Sequence, residues 1–558
     1  MFDANDKKRI NAGILFLICA LVGAVCFVGI YGHRILDPSN IGWLFDNDHD
    51  LRQHFFGWCA FRRDPWHFPI GLIDSLSYPD SISVIYTDSI PMFAVFFKLI
   101  QGILPVDFQY FGLFGILSFA LMGGFASLLL RRIVASDAAC IIGSVFYVIS
   151  APVIQRMYFH TALAAQWIIV AALALWLYDD ILRTDRVKII CWALISFVCV
   201  GIHSYFLPMT AMILAADMIT QFVKKKDIYL PVMEFLAFCA AGLANLYILG
   251  AFYGNTSAAG FGLGTFTSNL NTFINPWEIG HILPALPLQN YFQYEGMAYL
   301  GAGILLLFVI VAAGLVIRAV RKVPEEAFHT RAVYGRITIV LAAVSFIAAV
   351  VPNISYNDRM LLWVPYPRVV EDVLSIFRSN GRLVWPAMYI LITAAISFTA
   401  HTFRRYNRIL TVIIAAALIL QISDMSVAFS DRYRFYMSGH SAGTVWDDPD
   451  VSAFTDGADE FIFMYTENDI TLQTAYYGYI HNIRQNNFYF ARDVSAKVSS
   501  VIDLYRSELE NNNLRDKAVY IVKEEDYDKE KEFYDGLDAD MMHAFGHVIF
   551  KAKPDQNE

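Results

Sequence analysis

The sequence predicts a polytopic α-helical membrane protein with about eleven transmembrane helices followed by a small α/β domain, and three observations carry that expectation. Of 558 residues, 57% are hydrophobic and 17% charged, where soluble domains hold about 45–50% and about 25%. The excess is gathered into apolar runs near the length needed to cross a bilayer. Charge is uneven too: residues 431–558 hold 25 Asp and Glu against 13 Lys and Arg, whereas residues 1–430 hold 26 against 29. A mildly basic, greasy stretch over 1–430 and an acidic tail over 431–558 read as a membrane domain and a soluble domain of ordinary size.

In chain order the apolar runs are 12–31, 108–130, 138–154, 162–182, 187–201, 205–223, 230–252, 297–317, 337–351, 383–400 and 409–429. The first follows Lys7, Lys8 and Arg9 but is too long for a signal peptide and lacks a small-residue cleavage site, so it reads as an anchor. Lys and Arg resist translocation and mark the cytoplasmic side. With the N-terminus inside, the alternating loops place 19 bases inside and 10 outside. That asymmetry requires 89–104, apolar but interrupted by Lys98, to lie on the outer surface without crossing. Eleven crossings then put the tail and the long loops 32–107, 253–296 and 352–382 on the outer side, the periplasm or exterior of a bacterial cytoplasmic membrane. The seven cysteines fit no disulfide framework or zinc spacing and read as free thiols.

The loop 32–107 opens with Asp46-Asn47-Asp48-His49-Asp50-Leu51-Arg52-Gln53-His54. A calcium loop is excluded, because Leu51 stands where the turn needs Gly and Gly57 where the bidentate Glu belongs. Asp50 followed by Gln53 also spells a capping box for a helix from Leu51 to about Arg63, so Asp50 is either a cap or a functional carboxylate. Asp88 and Ser89 sit where an N-cap belongs before the surface helix. Trp43, Trp58 and Trp66 suit the headgroup level.

Later loops add candidates for phosphate and sugar. Arg378 and Arg382 lie four residues apart at the outer end of the tenth run, where planar guanidinium groups suit phosphate oxygens. Glu295 precedes the eighth run in a loop without Lys or Arg between 253 and 296, so it faces water or is paired from another loop. Arg156, His160 and His203 stand at outer turns. Asp217, Glu234 and Asp424 fall within or at the edges of runs, where ionisable residues are functional candidates. The tail alternates strand-like runs (460–465, 487–491, 518–522, 547–550) with a helix over about 494–509, an α/β pattern. No Gly-rich phosphate loop or basic patch occurs, which argues against nucleotide and nucleic-acid partners.

Four motifs carry a family resemblance: Asp50-Leu-Arg-Gln-His54-Phe-Phe-Gly-Trp58, Tyr86-Thr-Asp88-Ser-Ile-Pro91, Gln293-Tyr-Glu295-Gly-Met-Ala-Tyr-Leu-Gly301 and Phe377-Arg378-Ser-Asn-Gly-Arg382-Leu-Val-Trp-Pro386. From about residue 32 to about 430 the chain resembles a largely uncharacterised bacterial group of GT-C-type integral-membrane glycosyltransferases. The resemblance implies transfer of a hexosyl or pentosyl group from a polyprenyl-phosphate sugar to an envelope glycan, such as lipopolysaccharide O-antigen, on the outer face of the membrane. It implies Asp50 as the base, four residues before His54, with Asp88 and His54 as further catalytic candidates. Arg378, Arg382, His160 and Arg156 would hold the donor phosphate, and Glu295, His203 and Trp58 would contact substrate. The chain departs from the pattern in its extra acids Asp46 and Asp48 and in lacking an adjacent Asp-Glu pair. No cofactor is implied beyond a divalent metal, for which Asp48 and Asp50 are the candidate ligands. The competing readings are a transporter or flippase for a lipid-linked glycan, which should show midplane charges and inverted repeats, and a non-catalytic envelope-assembly protein.

Overall fold

The computed structural model describes residues 9–46, 50–178, 184–226, 228–253, 263–320, 332–404, 406–467 and 470–553. Among the described residues each of the eleven apolar runs contains helix, as a chain in hydrocarbon must satisfy its backbone groups internally. Six helices among the described residues are long and apolar enough to cross a membrane: Ala12–Tyr31, Phe111–Arg131, Phe206–Lys225, Tyr229–Ile248, Asn380–Thr402 and Asn407–Met437. The pair Asp137–Val148 and Ala151–Phe159, bent by 43°, makes a seventh if taken as one span. Thr161–Leu177, Ala302–Ile317 and Tyr334–Val350 are shorter apolar helices. The surface stretch after residue 89 forms the helix Pro91–Leu99 and a 3-10 turn, Gln101–Ile103. At 1.5 Å per residue such a helix is about 14 Å long, half a hydrocarbon core.

Internal contacts divide the chain into two compact units. One holds Met1–Asn40, Gln109–Leu243 and Gly260–Ser438, the other Ile41–Phe108, Ala244–Ala259 and Gly439–Glu558. In the first, helices 12–31 and 111–131 meet backbone to backbone. A Cβ on Gly23 would lie 2.1 Å from the Phe119 carbonyl oxygen, and one on Gly123 would lie 2.2 Å from that of Cys19. Each glycine therefore admits the other helix. All seven cysteines are free, four of them buried.

The second unit is built on a five-stranded mixed sheet in the spatial order 484–485, 460–463, 518–523, 547–552, 539–544. The first three strands are parallel and the last two antiparallel to their neighbours. Strand alternation sorts the core to two faces. Phe461, Phe463, Val519, Ile521 and Ile549 join Trp446 and Tyr477 on one, while Ile462, Tyr520, Val522, Val548 and Phe550 join Tyr505 on the other. The helix expected over 494–509 is Ser495–Glu510. Residues 487–491 are not a strand: Asn487 is buried with its amide on the Tyr465 carbonyl, and Ala491 N–H is taken by Tyr86 O. The first loop folds onto this sheet rather than standing alone. Tyr78 N–H donates to Gln485 O, Gln485 N–H to Ser75 O, and Arg63 Nη1 to the carbonyls of Gly478 and Ile483.

Candidate functional site

Three side chains distant in sequence meet in the first unit. Helix Ala151–Phe159 has Pro152 in its first turn, where no N–H is required, and stops where His160 leaves the helical region. This places Arg156 in the last turn. Glu295 lies in the 3-10 turn Tyr291–Gly296 and Arg382 in the 3-10 turn Asn380–Val384 that leads into helix Trp385–Thr402. Nη2 of Arg156 and Nε of Arg382 each donate to the same Oε2 of Glu295 at 2.6 Å, and all three side chains are buried. Glycines allow the approach: a Cβ on Gly381 would lie 2.9 Å from Cα of Gly296, and one on Gly296 would lie 2.5 Å from Cα of Ser268.

Burial pushes the Glu295 carboxyl up, yet the charges and hydrogen bonds of Arg156 and Arg382 more than offset it and hold the group well below the usual carboxylate range. The acid with no local base is thus paired from a helix end and from a second 3-10 turn. Two guanidinium groups against one carboxylate leave the centre one positive charge in excess, where low dielectric favours binding an anion. The Arg382 guanidinium lies 4.6 Å from the Tyr205 ring centre, and that of Arg156 lies 5.7 Å from Tyr294 and 5.9 Å from Trp385. Tyr205 is itself fixed by Ser379 N–H, which donates to its hydroxyl at 2.9 Å.

His160 and His203 belong to the same unit. The His160 and His203 ring centres are 5.1 Å apart, and Tyr205 N–H donates to Nδ1 of His203 at 3.2 Å. Burial, with the positive charges of Arg382 and Arg156, pushes the His160 imidazole well below its usual value, which keeps it neutral. Arg378 is not part of the cluster at Glu295; it is half-buried with its guanidinium 5.9 Å from the Phe266 ring. The tyrosines 205 and 294 escaped the sequence reading because aromatic residues are common in every loop. Gln155 and Thr161 were legible as polar residues beside an apolar run but were not singled out.

In the second unit, helix Leu51–Arg63 starts after Asp50, whose side chain makes no capping hydrogen bond. The capping box does not form: the Gln53 amide donates to Tyr86 O at 3.1 Å instead. Asp88 and Ser89 do not cap the surface helix either, since Ile90 occupies the N-cap position. Asp88 has φ 52° and Ile90 φ 51°, a left-handed pair rare for non-glycine residues. Between them Ser89 Oγ donates to His54 O at 2.7 Å, and a His54 ring nitrogen lies within 4.8 Å of an Asp88 carboxylate oxygen. Gly57 makes room for this turn, as a Cβ there would lie 2.3 Å from Cβ of Thr87.

Trp58 and Trp43 are buried, and Trp58 Nε1 donates to Phe108 O at 3.0 Å. Asp46 is engaged by His440 at 2.6 Å. Asp48 lies outside the described residues. Asp217 and Glu234 are buried with Lys188, 2.8 and 3.7 Å away, and Asp424 accepts from Tyr299 and from Ala302, His281 and Ile282 N–H groups. These acids are engaged within the helical framework.

A family model described as a domain of unknown function (DUF6311) matches residues 20–426. Among curated proteins none matches in sequence. Solved structures with likeness to the chain include the Archaeoglobus fulgidus oligosaccharyltransferase in its apo form, at 10% identity and a TM-score of 0.43, covering 93% of this chain and 70% of that one. The same enzyme tethered to an acceptor peptide with an NVT sequon matches at 11% identity and a TM-score of 0.43 over 97% and 74%. A. fulgidus AglB in complex with an inhibitory peptide and a dolichol-phosphate matches at 10% identity and a TM-score of 0.43 over 97% and 75%.

Proposed function

The chain belongs to the DUF6311 family, and from that premise we propose that it is a GT-C-type membrane glycosyltransferase. It moves a hexosyl or pentosyl group from a polyprenyl-phosphate donor to an envelope glycan, such as lipopolysaccharide O-antigen, on the outer face of the bacterial cytoplasmic membrane. One observation carries the reading: Arg156 and Arg382 share the single carboxylate of Glu295, a buried cluster with positive charge in excess, within a unit of apolar helices. Such a centre favours a phosphate group presented by a lipid. The four motifs that resemble the GT-C group support it, and two of them supply Glu295 and Arg382.

The chemistry then needs a base for the acceptor and cations for the leaving group. Asp50 and Asp88 are the proposed carboxylates, with His54 beside Asp88. The acceptor hydroxyl gives its proton to the base and its oxygen bonds to the anomeric carbon. The bond from that carbon to the phosphate oxygen breaks, and its electron pair leaves on polyprenyl phosphate, whose charge the two guanidinium groups steady. Asp50 is also a candidate ligand for a divalent cation, which would supply positive charge toward a phosphate.

The test is mass spectrometry of envelope glycans from cells with and without the gene, alongside the protein in vesicles with undecaprenyl-phosphate sugars. Loss of one sugar in the deletion, and release of undecaprenyl phosphate only by the active protein, is the expected result. Unchanged linkages with lipid-linked glycan trapped on the inner leaflet would mark a flippase. Insensitivity to a chelator would remove the metal.

A further inference from the structure

The stretch around Arg156 gathers buried polar atoms that no described residue satisfies. Among the described residues, both amide atoms of Gln155, the hydroxyl of Thr161, Nε of Arg156 and Nε2 of Gln166 are buried without a hydrogen-bond partner. Gln155, Thr161 and Gln166 are at most 1% exposed. Buried polar groups in native proteins are almost always bonded, so a concentration of exceptions within twelve residues marks a place where partners arrive from outside the chain.

The chemistry of these atoms says what those partners are. Phosphate oxygens only accept, and they would be repelled by the Gln155 carbonyl oxygen. That oxygen needs a donor while its own amide nitrogen and Nε2 of Gln166 need acceptors. Hydroxyl groups do both. Gln166 is held for the purpose, because its Oε1 already accepts from the Tyr389 hydroxyl at 2.8 Å and Tyr389 is in turn within 3.1 Å of the Ser150 hydroxyl. Arg156 joins the two functions: Nη2 is spent on Glu295, and Nε is left over.

We propose that Gln155, Thr161 and Gln166 are the specificity residues that read the hydroxyl groups of the donor sugar beside the phosphate centre. The inference rests on the glycosyltransferase reading. The apolar isosteres Gln155→Leu and Thr161→Val test it by two measurements on the full chain in detergent. Without ligand, each should raise Tm by about 2 °C, since an unbonded buried polar group is removed. The second measurement compares affinity for bare undecaprenyl phosphate with affinity for undecaprenyl-phosphate glucose, mannose and arabinose. The native protein should prefer at least one glycosylated lipid. Each variant should lose about 5- to 10-fold of that preference while binding the bare lipid as before.

A fall in Tm for Thr161→Val, the variant that keeps shape, would show that a buried water already satisfies these atoms and would overturn the inference. So would a native protein that binds the bare lipid as tightly as every glycosylated one, although the phosphate centre would then stand. A native protein that binds no lipid phosphate at all would overturn the glycosyltransferase reading itself.

Discussion

Arg382 donates from Nε to Oε2 of Glu295 at 2.6 Å although 87 residues separate them in the chain. The same oxygen receives Arg156 from 139 residues away. Glu295 therefore ties a helix end and two 3-10 turns together as well as setting the charge of the candidate site.

Removing one member of this cluster should cost more than its share of hydrogen bonds. Glu295→Gln leaves two buried guanidinium groups facing a neutral amide, and breaking a buried ion pair in this way costs about 3–5 kcal/mol. Thermal melting in detergent checks it. Arg382→Ala should abolish binding of undecaprenyl phosphate, whereas Arg378→Ala, outside the cluster, should weaken it only slightly. Equal losses in the two variants would remove the distinction drawn here.

The same carboxylate gives a pH signature. Its folded-state pKa is depressed, so its contribution to stability is full above the unfolded value of about 4.3 and is lost as pH falls through the lower folded value. The difference in stability between the native protein and Glu295→Gln should stay constant from pH 8 to about pH 5 and shrink only in more acidic solution. A difference that collapses near pH 6 would mean the carboxylate is not held by the arginines.

The two candidate bases separate by mutation. Asp50 makes no capping bond, so Asp50→Asn removes no helix cap, a loss that by itself costs ~1 kcal/mol. If it is the base, transfer should fall by about 10²–10⁴. Asp88→Asn should be measured beside it. The variant that inserts, accumulates and melts normally but loses transfer identifies the base, and full activity in both would place the base elsewhere.

Lys98 offers a pH test in the second unit. Its ammonium lies 4.0 Å from the Phe61 ring centre and 4.5 Å from that of Trp66, and burial lowers its pKa to about 8, with Asp64 and Asp74 opposing. A lysine whose folded pKa lies below the unfolded ~10.4 penalises the fold at lower pH and relieves it as pH rises between the two values. Stability should climb from pH 8 to about pH 10 in the native protein, and Lys98→Met should flatten that climb. Equal slopes in both would contradict it.

Reporter fusions check the topology. The nine-residue helix Pro91–Leu99 is too short to cross, so a fusion after residue 107 should read outside and one after 134 inside. A cytoplasmic signal at 107 would require another order of crossings.

What the sequence by itself determined is what depends on neighbours in the chain. Hydropathy over about twenty residues placed a helix in every apolar run, and the strand-like stretches 460–465, 518–522 and 547–550 fell on the strands 460–463, 518–523 and 547–552. It also singled out Glu295, Arg156 and Arg382 separately, since charge beside an apolar run is visible locally. Tertiary structure alone decided that these three share one oxygen, because the approach depends on Gly296 and Gly381 bringing two loops together across many helices. It also decided against the capping box at Asp50, where the Gln53 side chain is held by its amide nitrogen on Tyr86 O instead of turning its oxygen back to the helix start, and against a strand at 487–491, where the first loop took the backbone hydrogen bond. A backbone donor takes whichever acceptor the fold brings near, and no local pattern of residues records which one that is.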